Sequence, residues 1–112
     1  MIYQTRLESH LNNGIIEHVM CAANYYNDGE EHMFQPYNID KGFIVGGWRH
    51  PCCGMTYMAL NPNAERWDNC VQGFLTTKNR FLTRAEALEL VISTGQLTKP
   101  IIGGELTSED LW

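Results

Sequence analysis

The sequence is short of basic residues: eight Lys and Arg stand against thirteen Asp and Glu, a formal net charge of −5. An acidic domain repels the phosphate backbone of long nucleic acid, which calls for a basic face. Long DNA or RNA is therefore not expected as a partner. A small anionic ligand stays open, because a few cations can make a local positive pocket. Long apolar runs are missing too; no stretch approaches the roughly 20 residues of a spanning helix. Met1 to Glu8 has no basic start followed by an apolar core. No signal peptide and no membrane association are expected, and the cytoplasm is the expected compartment. Four cysteines are present, but none forms a C-x-x-C pair. Reduced thiols are the expectation, without the ligand pairs of a structural zinc site. P-loop and Rossmann glycine patterns are absent, as is a serine flanked by nucleophile-elbow glycines. No repeat or low-complexity segment occurs.

What is there fits one α+β domain over residues 1–112. A chain of this length can bury about two-thirds of its unfolded surface, enough for a core without staples. Ile2 to Leu7 and Ile15 to Cys21 read as strands around the turn signal Asn12-Asn13-Gly14. Gly42 to Trp48 is nearly unbroken apolar sequence, as in a strand buried on both faces. His50 to Leu60 reads as a short helix with Pro51 in its first turn. Asn69 to Thr76 reads as a further strand, continued by Arg80-Phe81-Leu82 beyond a turn at Lys78-Asn79. Thr83 and Glu86 have capping-box spacing and open a helix from Arg84 to Thr94. Its apolar stripe is Ala85, Leu88, Val91 and Ile92, and Gly95 is its left-handed stop. The fold expected is a small antiparallel sheet with one or two helices packed on it. Residues 1–76 form its strand-rich part, and the segment after Leu106 is expected to dock.

Asn24 to Asp40 is polar yet holds Tyr25, Tyr26, Met33, Phe34 and Tyr37. Those aromatics can cover a sheet edge, pack on a second subunit or line a site. With the apolar C-terminal residues, they lead to the expectation of a homo-oligomer.

The stretch Gly46-Gly47-Trp48-Arg49-His50-Pro51-Cys52-Cys53 concentrates the chemistry. Adjacent Cys52 and Cys53 lack the ligand-pair spacing of a structural zinc site, so no metal is expected; the alternative is a site from His50, Cys52 and a distant residue. A cysteine nucleophile needs a base in reach, and sequence proximity to His50 does not supply it. No catalytic residue is assigned. A ligand pocket fits better. Arg49 offers a planar fork suited to phosphate, and His50 can hydrogen-bond or stack. Lys78, Arg80 and Arg84 place three more cations within seven residues. Arg84 stands at a helix start, where the dipole favours an anion.

Gly47-x-Arg49-His50, Gln72-Gly73-Phe74-Leu75-Thr76, Arg80 to Ala87, Gly95-Gln96-Leu97 and Ser108-Glu109-Asp110-Leu111-Trp112 together resemble a family of small bacteriophage proteins. The resemblance runs from about Phe43 to Trp112 and extends to the first Thoeris anti-defence proteins. Those are oligomers that bind and sequester a cyclised ADP-ribose signal made by bacterial TIR-domain enzymes, without degrading it; some also take up cyclic oligonucleotides. By this resemblance the chain is a non-enzymatic nucleotide sponge acting in the infected host cell, with no cofactor. Arg49 would pair with phosphate, and Phe74 or Phe81 would stack on adenine. Thr83 and Arg84 would hydrogen-bond ribose or phosphate, and Gln96 would read a polar edge. The chain departs from its relatives at Pro51-Cys52-Cys53, where many carry a small residue and then Asp or Cys. Two other readings stay open: a hydrolase of a small nucleotide using His50, and a module that blocks a host enzyme directly.

Overall fold

A computed structural model describes residues 16–64, 70–97, 101 and 105–112. The strand expected at Ile2–Leu7 and the turn at Asn12–Gly14 lie outside the described residues. The strands are β1 (Val19–Tyr26), β2 (Phe43–Gly47), β3 (Cys70–Thr76) and β4 (Phe81–Thr83). The helices are α1 (His50–Leu60) and α2 (Arg84–Thr94), with a 3-10 turn at Ser108–Asp110. Among the described residues the sheet has the order β2-β1-β3-β4 and is antiparallel throughout. The class is α+β, as the sequence implies.

The register sorts the side chains onto two faces, because alternate strand residues point to opposite sides. Gly47, Ala22, Phe74 and Leu82 form one row, and Val45, Asn24 and Gln72 the next. Both helices lie on that face. α1 packs Cys53 and Tyr57 against Ala22, Tyr26 and Val45. α2 packs Ala87 and Val91 against Phe74, Leu82 and Val19, with Leu106 closing the cluster.

Three expectations need correction. β1 runs through Asn24-Tyr25-Tyr26 and ends at Tyr26, because Asn24 is wholly buried between its neighbours β2 and β3. β2 is an edge strand, and only Val45 of its five residues is buried. Its apolar run reflects the contact with α1, not cover on both sides. On α2 the buried residues are Ala87 and Val91, while Ala85 is exposed and Ile92 is 62% exposed. The small Ala87 lets the helix approach β3 and β4 closely, which turns the inward stripe away from Ala85.

The helix boundaries match the sequence reading. Thr83 caps α2 reciprocally with Glu86, and Gly95 takes the left-handed conformation, φ 75°. Leu97 folds back, donating its N–H to the Val91 carbonyl at 3.2 Å. Gly73 is required for a different reason. A Cβ there would collide with the Leu82 carbonyl oxygen and come within 2.7 Å of the Phe81 ring.

Residues 27–42 bridge the two sheet edges. Gln35 Oε1 accepts the Ile44 N–H of β2 at 2.9 Å. The Asn38 amide brackets Phe81 of β4, accepting from its N–H at 2.9 Å and donating to its carbonyl at 2.6 Å. These polar side chains stand in for further strands and blunt edges that invite aggregation. Met33 and Phe34 at the tip remain exposed, Phe34 by 95%.

Candidate functional site

α1 begins where the chain leaves β2. Arg49 is its N-cap residue in extended backbone, φ −133° and ψ 156°. His50 opens the helix, and Pro51 follows where no N–H is needed. This turn drives the His50 ring down onto β3. Its Nε2 lies 2.8 Å from the Gly73 carbonyl oxygen, and its ring meets Phe74 edge-on, centroids 5.2 Å apart. A carbonyl only accepts, so Nε2 carries the proton. His50 is 4% exposed. Burial, aided by the Arg84 charge, holds its pKa below the ordinary histidine value against the opposing Gly73 bond. The ring is therefore neutral at pH 7, and Nδ1 is left as an acceptor with no partner among the described residues.

The ring borders a pocket of about 270 Å³ together with Pro51, Gln72, Arg84, Thr107, Ser108 and Glu109. Four parts of the chain thus converge: the first turns of α1 and α2, the middle of β3, and the C-terminal segment. Arg84 donates to the Leu106 carbonyl at 2.6 Å and to Gln72 Oε1. With its Oε1 taken by Arg84, Gln72 keeps its amide nitrogen as a donor without a partner among the described residues.

Arg49 sits behind the same wall. One guanidinium nitrogen donates to the Ser108 carbonyl at 2.5 Å and the other to the Trp112 main-chain oxygen at 2.6 Å. The guanidinium carbon is 5.6 Å from the Trp48 ring centroid, and Trp48 leans on Trp112. Neither Arg49 nor Arg84 forms an ion pair with an Asp or Glu side chain among the described residues. Asp110 is engaged by Thr107, through N–H at 2.8 Å and hydroxyl at 3.0 Å.

The remaining cations are placed differently. Arg80 makes a two-pronged pair with Glu17, at 2.8 and 2.6 Å, and Thr76 donates to the same carboxylate at 2.6 Å. Lys78 is buried, and its charge acts on Glu17. Of the 78–84 cluster, Arg84 alone lines the pocket.

The structure thus brings together His50 and Arg84, with Arg49 one layer behind. Phe74 is 0% exposed and belongs to the core cluster under α2. Phe81 is 5% exposed, against Tyr25 and Asn38 on the opposite side of the sheet. Thr83 is the α2 cap. Gln96 spends both amide atoms on Val19, donating to its carbonyl at 2.8 Å and accepting from its N–H at 3.0 Å. Gln72, Thr107 and Ser108 are pocket residues to which sequence reasoning gave no role; Gln72 and Ser108 lie inside the motifs quoted above. Cys52 is exposed and Cys53 buried, so the two thiols diverge. Burial and the neighbouring thiols push Cys53 up to about 11, which makes it a poor nucleophile. Among the described residues no three His, Cys, Asp or Glu side chains gather as a metal site. Nor is any helix among them long and apolar enough to cross a membrane.

Fold and pocket together define a small α+β protein with a pocket lined by His50 and Arg84 and backed by Arg49. Residues 18–112 match the family described as phage T4 y16D protein, and the chain belongs to that bacteriophage family. No curated protein and no solved structure matches it.

Proposed function

We propose that this phage protein binds and sequesters a cyclic nucleotide immune signal of the host, of the cyclic ADP-ribose type, without degrading it. The observation that carries this reading is the state of Arg49 and Arg84. Both are half-buried, both donate to main-chain oxygens, and neither pairs with an Asp or Glu side chain among the described residues. Arg80, by contrast, is fully matched by Glu17. A half-buried guanidinium without a counter-ion favours an incoming phosphate, since a charge-assisted bond is about twice as strong as a neutral one. The neutral His50 Nδ1 and the spare Gln72 amide supply one acceptor and one donor for a polar base or ribose edge. Thr83 and the first turn of α2 stand next to Arg84. Phe74 supports the site from beneath by holding the His50 ring.

Sequestration needs no catalytic group, and the pocket needs none to bind. The protein acts in the cytoplasm of the infected cell. It self-associates through apolar surface such as the exposed Met33-Phe34 tip. The experiment is to incubate a cyclic ADP-ribose isomer with excess protein, filter, and then heat-denature. The ligand is expected to vanish from the filtrate and to return intact on denaturation. A ligand that stays in the filtrate, or returns hydrolysed, rejects the proposal. Binding at 100 times Kd also adds about 2.7 kcal/mol of stability, visible as a rise in Tm.

A further inference from the structure

We infer that residues 107–112 form a displaceable strap, which occupies Arg49 in the free protein and is released when a ligand carrying two phosphates arrives. The inference rests on the nucleotide reading of the pocket and concerns its regulation.

Three observations carry it. The first is size. With the strap docked, the pocket measures about 270 Å³, below the range of about 300–1,000 Å³ usual for small-molecule sites. The wall that limits it is Thr107, Ser108 and Glu109. The second is charge. Glu109 and Arg84 both line this pocket, and no ion pair holds Glu109 among the described residues. A phosphate drawn to Arg84 meets the Glu109 carboxylate as a like charge and drives it outward. The third is the latch. Arg49 directs its two nitrogens at the oxygens of Ser108 and Trp112, the two-pronged arrangement a guanidinium offers to a phosphate. The strap's main-chain oxygens thus stand where an anion would, and a ligand carrying two phosphates competes with them for the guanidinium.

The hinge is fixed by burial. Leu106 is 0% exposed in the core and held by Arg84, so it anchors the strap. Beyond it, a turn of three residues and the half-buried Leu111 and Trp112 complete the contact. The strap therefore opens from Thr107 onward while the core cluster stays closed. In the open state Arg49 is released, while Arg84 keeps Leu106 and offers a phosphate its remaining N–H groups.

The sign of one mutational effect tests this. Trp112→Ala weakens strap docking against Trp48 and Phe74. If the docked strap competes with ligand, apparent affinity rises by the factor by which docking had depleted the open state. The expected gain for cyclic ADP-ribose is on the order of tenfold, with a smaller gain for adenosine monophosphate, which needs one arginine only. On the unsubstituted protein, saturating cyclic ADP-ribose should speed hydrogen exchange at the amides of Asp110, Leu111 and Trp112, which are bonded to Thr107 and Ser108 carbonyls. Weaker binding by Trp112→Ala, or slowed or unchanged exchange under ligand, overturns the strap and makes the segment a fixed wall, leaving the nucleotide site in place. Failure of both proteins to bind either nucleotide removes the nucleotide reading itself and the strap with it.

Discussion

Gln96 gives both ends of its side-chain amide to one residue, Val19, with bonds of 2.8 and 3.0 Å. The contact spans 77 residues of sequence. It ties the turn after α2 to the first residue of β1, where a register irregularity between Val19 and Cys21 leaves the ladder incomplete. Two neutral hydrogen bonds contribute about 0.5–1.5 kcal/mol each. Gln96→Ala should therefore cost about 1–3 kcal/mol in urea unfolding and leave nucleotide affinity intact. A selective loss of affinity at unchanged stability would return Gln96 to the binding site.

Thr83→Ala removes the hydroxyl that accepts from the Glu86 N–H at 3.3 Å. The cost expected is about 1 kcal/mol. Thr83 is exposed, so no cavity forms and Tm reports the cap alone. An affinity loss larger than the stability loss would show a ligand contact as well.

These two residues show which parts of the molecule sequence displays. The α2 cap was legible because Thr83, Glu86 and Gly95 act within one helix, at fixed offsets. The boundaries of α1 were legible for the same local reason. The roles of Arg84 and Arg80 were not separable, since both are cations near a turn. Only the fold reveals that Glu17, 63 positions away, takes Arg80, while Arg84 meets a carbonyl and an amide. Tyr25 and Tyr26 favour a strand, but Asn24 does not, and its burial comes from two neighbours distant in sequence. Gln72 and Ser108 lay in view inside recognised motifs. Their place in the pocket depends on β3 and the C-terminal segment meeting over the sheet, which no local pattern encodes.

Stability should fall on acidification in two windows. The His50 pKa is lowered by burial, so the unfolded chain binds its proton first. Stability is then full above the unfolded value of about 6.5 and declines as pH falls toward the folded value. Burial raises the Glu17 pKa, but the bonds from Arg80 and Thr76 and the Arg80 and Lys78 charges outweigh it, and the net shift is downward. That contribution is present above about 4.5 and is lost as pH drops through the folded value. Urea titrations between pH 8 and 3 should show both steps. The step near neutrality should vanish in His50→Asn, and the acid step in Glu17→Gln. If His50→Asn keeps the full neutral step, another group carries it.

Gly73→Ala should disrupt the β3–β4 pairing. The added methyl meets the Leu82 carbonyl oxygen and the Phe81 ring, and backbone cannot yield as a flexible side chain does. Overpacking of this kind costs about 1–3 kcal/mol. A wild-type Tm would show that β4 sits farther from Gly73 than described.

Arg84 and Arg80 provide the sharpest contrast between binding and structure. They lie four residues apart, carry the same charge and are both half-buried. Arg80 answers Glu17, whose side chain is 10% exposed. Arg80→Ala leaves that carboxylate without its cation, and hydrogen bonds to charged groups are worth about 1.5–3 kcal/mol. Stability should drop by about that much, with nucleotide affinity kept in the folded fraction. Arg84 instead answers the Leu106 carbonyl and the Gln72 amide. Arg84→Ala leaves those neutral groups a bond short, at a cost of about 1 kcal/mol. For a bound phosphate the loss is larger, because truncating one partner of a desolvated charge pair costs about 2–5 kcal/mol, or roughly 30- to 5,000-fold in affinity. Arg84→Lys should recover only part of it, since an ammonium cannot serve Leu106, Gln72 and a phosphate from one planar fork. Tm and cyclic ADP-ribose affinity measured on all three variants separate the roles. Arg84→Ala that binds as tightly as wild type, or Arg80→Ala that stays folded and loses the ligand, would move the anion site away from the α2 N-terminus.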